Sequence, residues 1–289
     1  MQIIVGIIII LVLLLVMEIY REVHCFKRTD YTIASEKIRV PENEEKRVIF
    51  LSDMHNQQYG PANRELVMAI KDAKPDLIFI GGDMLIGKED VDYEPALAFV
   101  KEIVKMCPVY YANGNHEQRM KENPEDFQYS YETYKETLEA NGVFFLENET
   151  YNFSEWNVEL KGIEIPLGCY RRFRKGELSV EEIKERIGEP DLSAFEILMA
   201  HNPTYMKEYQ KWGADLVLSG HLHGGVVRIP GVLGVISPAF ELFPKYSGDL
   251  YRDGNKFSVV SKGLGTHTFH IRLWNPAEFI VLHLKSCNS

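Results

Sequence analysis

Val48-Ile49-Phe50-Leu51-Ser52-Asp53-Met54-His55 sets the reading of this chain. Four apolar, β-branched or aromatic residues ending at a polar cluster predict a strand covered on both faces, with Asp53 and His55 just beyond its carboxyl end. The pattern recurs four times. Leu77–Ile80 precedes Gly81-Gly82-Asp83, and Val109–Ala112 precedes Gly114-Asn115-His116-Glu117. Phe195–Ala200 precedes His201-Asn202, and Leu216–Ser219 precedes Gly220-His221-Leu222-His223. Open α/β sheets bind ligands outside the carboxyl ends of their strands, so the five clusters are expected to converge on one rim.

The intervals agree with this picture. Asp53 and Asp83 stand 30 positions apart and Asp83 and Asn115 stand 32 apart, each enough for a strand, a crossover helix and the next strand. Helices are expected over Pro61–Lys71, Pro95–Lys105, Pro124–Ala140 and Pro203–Trp212, with proline suited to the first turn and Asn141-Gly142 as a stop for the third.

A lone Asp or His is usually a hydrogen-bonded core residue, but this set supplies enough oxygen and nitrogen donors for two adjacent divalent ions. That points to metal-assisted hydrolysis of a phosphate ester. The ordered series D-x-H, G-D, G-N-H-[E/D], H and G-H-x-H from Asp53 to His223 resembles the calcineurin-like metallophosphoesterases. The resemblance implies that Asp53, His55 and His223 bind one metal and that Asn115, His201 and His221 bind the other. Asp83 then bridges them and His116 stands at the leaving group. It also implies a four-layer α-β-β-α sandwich of two mixed sheets flanked by helices.

The donor chemistry fits those roles. A carboxylate can span ions about 3.5–4 Å apart. Two divalent ions contribute about +4, the two aspartates about −2 and a bridging hydroxide about −1, so a site near +1 attracts an anionic phosphate. Attack by that hydroxide, with His116 as general acid, is the expected mechanism for a phosphomonoester, phosphodiester or pyrophosphate. Mixed Asp, Asn and His donors without thiolate suit manganese, iron or zinc better than magnesium or calcium. Two other readings compete with this one, a phosphoprotein phosphatase and a non-enzymatic membrane scaffold. Gly82-Asp83-Met84-Leu85-Ile86-Gly87 lacks the Asp-Arg pair of the related phosphoprotein phosphatases, and a non-enzymatic membrane scaffold would not need the complete donor set.

Met1 to Met17 carries no charged side chain and is nearly all Ile, Val and Leu. It predicts a transmembrane anchor over residues 1–20, a tether over 21–45 and a catalytic domain over 46–289. A cleavable signal would have a basic start and a small-x-small site, and neither is present. Arg21, Lys27 and Arg28 follow the apolar stretch and favour a single-pass protein whose catalytic domain faces the cytoplasm. Cys25, Cys107, Cys169 and Cys287 have no CxxC or metal-ligand spacing and read as reduced cysteines.

The net charge of −10 argues against a general nucleic-acid partner. A phosphorylated small molecule or a lipid-linked substrate beside the anchor is expected instead. Arg171-Arg172-Phe173-Arg174-Lys175 follows an expected hairpin of Tyr151–Phe153 and Trp156–Ile165. That basic cluster reads either as a grip on phosphate or lipid headgroups or as a solvated loop. Pro238–Tyr246 is an aromatic loop, suited to an apolar pocket wall or to buried packing. Val226–Ile229, Phe257–Lys262, His267–Trp274 and Phe279–Leu284 are expected strands, with His267, His270 and His283 structural or at the surface.

Overall fold

A computed structural model describes residues 1–171, 176–229, 233–236, 242–266 and 270–287. The helix α1 (Gln2–His24) is followed by β1 (Phe26–Ser35), β2 (Lys46–Leu51), α2 (Arg64–Asp72), β3 (Leu77–Ile80), α3 (Glu94–Ile103), β4 (Val109–Tyr111), α4 (Asn115–Glu122), α5 (Tyr131–Glu139) and β5 (Val143–Phe145). The second half contributes β6 (Thr150–Phe153), β7 (Val158–Ile163), α6 (Val180–Ile187), β8 (Phe195–Ala200), α7 (Met206–Trp212) and β9 (Leu216–Ser219). It continues with β10 (Val227–Ile229), β11 (Leu233–Ile236), β12 (Asp249–Asp253), β13 (Lys256–Val260) and β14 (Ala277–Ser286).

Two six-stranded sheets result, ordered β1-β14-β2-β3-β4-β5 and β12-β13-β9-β8-β7-β6. Alternation along each strand explains why they stack. In β2, Val48 and Phe50 point between the sheets and meet Leu160, Ile197, Met199 and Leu218, while Ile49 and Leu51 face the helices. Leu66 and Ile70 of α2, Phe99 and Val100 of α3, and Tyr134 and Leu138 of α5 cover that outer face. On the far side Ile183 of α6 and Met206, Tyr209 and Trp212 of α7 cover Leu198 and Val217. The order is helices, sheet, sheet, helices, a four-layer α-β-β-α sandwich. Strands β2 to β5 run parallel, as do β7, β8, β9 and β13, so their carboxyl ends are presented together.

Several expectations need correction. The stretch read as a tether instead contributes β1, an edge strand paired in parallel along its length with β14. Its alternation of polar residues with Tyr31 and Ile33 is that of a strand with one buried face. The helix expected over Pro124–Ala140 is interrupted. Pro124–Asp126 forms only a 3₁₀ turn, and α5 starts afresh where Ser130 Oγ accepts from Thr133 N at 3.3 Å. No strand forms over the described part of His267–Trp274, where Leu273 makes a lone bridge to Val227; His267 lies outside the described residues. The hairpin of β6 and β7 forms with antiparallel pairing.

Among the described residues one helix, α1, is long and apolar enough to cross a membrane. Its end is fastened to the body of the protein: Val23 and Glu22 are buried, and just past the helix the Phe26 ring meets Tyr59 edge-on at 4.9 Å.

Candidate metal centre

The rims of the two sheets meet at the predicted clusters. Beyond β2 and β3 the chains remain zipped together, with Asp53 N donating to Gly82 O at 3.0 Å and His55 N to Asp83 O at 3.1 Å. Asp53, His55, Asp83, His221 and His223 all adopt left-handed backbone, with φ between 46° and 68°. Non-glycine residues rarely pay this strain except where a site imposes it. Gly82 has φ +89°, and a Cβ there would run into the backbone of Gly114, so glycine lets the β3 and β4 loops touch.

The structure brings His55, His116, His201 and His223 within 4.0 Å of a carboxylate oxygen of Asp53 or Asp83. Asp83 Oδ2 lies 3.1 Å from His201 Nε2, 3.8 Å from His55 Nε2 and 4.0 Å from His116 Nε2. Asp53 Oδ1 lies 3.4 Å from His223 Nε2 and 3.8 Å from His201 Nε2. Asp83 and His201 form a further donor group with His221, whose backbone N donates to Asp53 Oδ1 at 2.9 Å. Asn115 joins through α4, which it opens beside His116.

Ring orientation is set by groups behind the site. His201 Nδ1 lies 2.6 Å from Gly81 O and His223 Nδ1 lies 3.1 Å from Gly265 O. A carbonyl only accepts, so both Nδ1 atoms carry hydrogen and each Nε2 is directed at the carboxylates. His116 is arranged in reverse. Gly87 N donates to its Nδ1 at 2.9 Å, which leaves the proton on Nε2.

Packed together out of water, these groups perturb one another strongly. Burial pushes Asp53 up to about 6. Burial acts against Asp83 too, but His201, His116 and His55 hold it well below the usual carboxylate range. Burial also opposes charge on His201, yet Asp83 and Asp53 together raise it to about 10. Asn115 Oδ1 is a buried oxygen with no hydrogen-bond partner. A buried amide carbonyl left without a partner, on the residue next to His116, is a fitting donor for a metal ion. Three groups of side chains have donor atoms close enough to hold an ion: Asp53 with His55 and His223, His55 with Asp83 and His116, and Asp83 with His201 and His221.

Two supporting residues escaped the sequence reading. Glu117 is wholly buried. It accepts from Asp83 N at 2.8 Å, Met84 N at 2.9 Å, Gly114 N at 3.1 Å and Tyr111 Oη at 2.8 Å, binding the β3 loop to the start of α4. The GNHE motif contains it, but its partners are visible only in space. Tyr170 stands edge-on to the His221 ring at 5.1 Å and walls that side. Arg171 is exposed, and the rest of the basic cluster lies outside the described residues. In the aromatic loop Pro238–Glu241 also lies outside them, whereas Leu242 and Phe243 are exposed rather than packed inside.

This fold and this donor set define a metal-dependent phosphoester hydrolase. Residues 46–225 match the calcineurin-like phosphoesterase family model, and the chain belongs to that family. Calcineurin-like phosphoesterases use a dinuclear metal site. Among curated relatives, the chain is 25% identical to the uncharacterized metallophosphoesterase YkuE of Bacillus subtilis, over 93% of this chain and 89% of the relative. It is 28% identical to an uncharacterized metallophosphoesterase of Aquifex aeolicus, over 91% and 94% of the two chains. It is 23% identical to the phosphodiesterase YaeI of Escherichia coli, over 82% of each.

Proposed function

We propose that the protein hydrolyses a phosphodiester bond in an amphiphile resident in the membrane. The observation that carries the chemistry is Asp83 Oδ2 facing nitrogen atoms of His201, His55 and His116 within 3.1–4.0 Å. In this reading Asp53, His55 and His223 would hold one ion and Asn115, His201 and His221 the second, with Asp83 available to both. Four imidazoles in the set favour manganese, iron or zinc. When bound, two such cations polarise the phosphoryl oxygens and make a nearby water nucleophilic at neutral pH. His116 N fixes Asp83 Oδ1 at 2.9 Å, which turns Oδ2 inward. The protonated Nε2 of His116 donates to the departing oxygen.

The substrate class rests on a cleft of about 360 Å³ between the anchor helix and the catalytic body. Val16, Ile19 and Val23 of α1 form one wall, and Gln57, two positions after His55, belongs to the other. An alkyl chain rising from the bilayer along α1 fits that lining, with its phosphate toward the rim of the sheets. The phosphodiesterase name of the Escherichia coli relative supports the diester. Arg21, Lys27 and Arg28 support a single-pass protein with its catalytic domain in the cytoplasm.

The test uses the full-length chain in detergent with manganese. Turnover of soluble aryl phosphodiesters is compared with that of phosphodiesters bearing long acyl chains, beside an Asp83→Ala control. The acylated diesters are expected to show the higher kcat/KM, and Asp83→Ala to remove turnover. Equal kcat/KM for soluble and acylated diesters would sink the amphiphile. Turnover no greater than that of Asp83→Ala on every substrate would sink the hydrolase.

A further inference from the structure

Glu22 is an acid in the polar last turn of the apolar helix α1, and it is buried to 2% exposure while its neighbours Glu18 and Arg21 are not. Its Oε2 accepts from the backbone N of Asn275 at 2.8 Å, a contact across 253 residues of chain. Asn275 is itself fully buried. Its Nδ2 donates to His223 O at 2.7 Å and to Gly225 O at 2.6 Å, bracing both sides of the turn that presents His223. A Cβ on the intervening Gly224 would collide with Asn275 Oδ1, so the turn is built around this side chain.

Arg272 completes the bracket from three positions earlier. Fully buried, it donates through Nη2 to Lys262 O at 2.7 Å, Gly263 O at 3.1 Å and Gly265 O at 2.6 Å, and through Nη1 to Asn275 O at 3.2 Å. Gly265 is the residue whose carbonyl orients His223 Nδ1 and whose N donates to Asp53 O at 2.6 Å. The end of the anchor helix is therefore two hydrogen bonds from the backbone of His223, and the same bracket reaches Asp53.

We propose that Asn275 is a positioning residue for the ion held by Asp53, His55 and His223, and that Glu22 makes the anchor helix a structural part of that half-site. The inference rests on the dimetal reading above. Donors held in place by outer partners lose about 10–100-fold in metal affinity when those partners are removed. The second ion, held by Asn115, His201 and His221, lies one step further from this bracket, through His221 N on Asp53 Oδ1 at 2.9 Å.

The test titrates manganese into the full-length chain in detergent, in competition with a chelator, and records the thermal unfolding of the metal-free protein. Wild type is expected to bind two ions. Asn275→Ala and Glu22→Ala are expected to weaken one ion by about 10–100-fold and to affect the other much less, with a metal-free midpoint lowered only as far as the lost buried hydrogen bonds require. Glu22→Gln, which keeps an oxygen acceptor for Asn275 N, should behave as wild type. So should Glu18→Ala, a half-exposed change one turn earlier that removes the Arg21 ion pair and leaves the Asn275 contact in place. If Glu22→Ala does not fold, Asn275→Asp, which keeps the side-chain size but loses both amide donors, is expected to show the same single-ion loss. Normal binding of both ions by Asn275→Ala and Glu22→Ala overturns the proposal and spares the dimetal reading. Equal weakening of both ions, in step with a lowered metal-free midpoint, reduces the bracket to general stability and also overturns it. Failure of wild type to bind two ions removes the dimetal reading and this inference with it.

Discussion

His116 differs from His201 and His223 in what its back nitrogen does. His201 and His223 present Nδ1 to carbonyl oxygens, whereas His116 Nδ1 accepts from Gly87 N. A ring held this way keeps its Nε2 proton and serves as a donor rather than a ligand. His116→Asn is therefore expected to lower kcat by about 10²–10⁴-fold. Two bound ions should remain by elemental analysis. Loss of an ion instead of turnover would make His116 a ligand. The residue types at this scale were legible because D-x-H, G-D, G-N-H-E and G-H-x-H are contiguous. Glu117 was legible only as a letter, since its four donors come from the β3 loop, the α4 start and Tyr111.

At the scale of single elements, β8 carries an ionisable group with no part in the site. Glu196 is buried in the second sheet, with Oε1 accepting from Asp191 N at 2.5 Å and Oε2 lacking a hydrogen-bond partner. Burial pushes its pKa up to about 7, only partly offset by Lys161 at 3.9 Å. The folded state thus holds this proton more tightly than the unfolded chain. Its stabilising contribution is complete below about pH 4.5 and is lost as pH rises through about 7. Glu196→Gln should gain on wild type across that window by about 1–2 kcal/mol, allowing for partial screening, and level off above it. Denaturant midpoints at pH 4.5 and pH 8 measure it. A constant difference at both would show that the carboxyl does not titrate between folded and unfolded states.

Elements were read with uneven success for physical reasons. The runs of β3, β8 and β9 stood out because both faces are buried and nearly every residue is apolar. β1 was missed because an edge strand with one wet face is half polar and borrows its pairing from β14 at the other end of the chain. α6 carried a local signal that went unread. In Ser179-Val180-Glu181-Glu182, Ser179 Oγ accepts from Glu182 N at 3.1 Å and Glu182 Oε2 accepts from Ser179 N at 2.8 Å, a capping box.

Across the whole molecule, the candidate centre joins the rims of two sheets whose facing surfaces are largely apolar. Asp53, His55, Asp83 and Asn115 come from the first sheet's rim, and His201, His221 and His223 from the second. A cation bound by both rims stabilises the folded chain by mass action, about 2.7 kcal/mol for each ion at a hundredfold excess over its Kd. Thermal unfolding in manganese should lie several degrees above that in chelator, and Asp83→Ala should abolish most of the difference. An unfolding curve indifferent to both would mean that no ion bridges the sheets.

The sequence alone determined the donor types, their places after apolar runs, and an N-terminal helix long enough to span a bilayer. These are short-range properties, since period-two burial and an unbroken apolar stretch are written in neighbouring residues. Tertiary structure decided which rims face each other, that residues 26–35 close the first sheet, and that Glu22 and Asn275 stand behind His223. Those pairings span up to 253 residues and depend on how two sheets stack, so no local pattern records them.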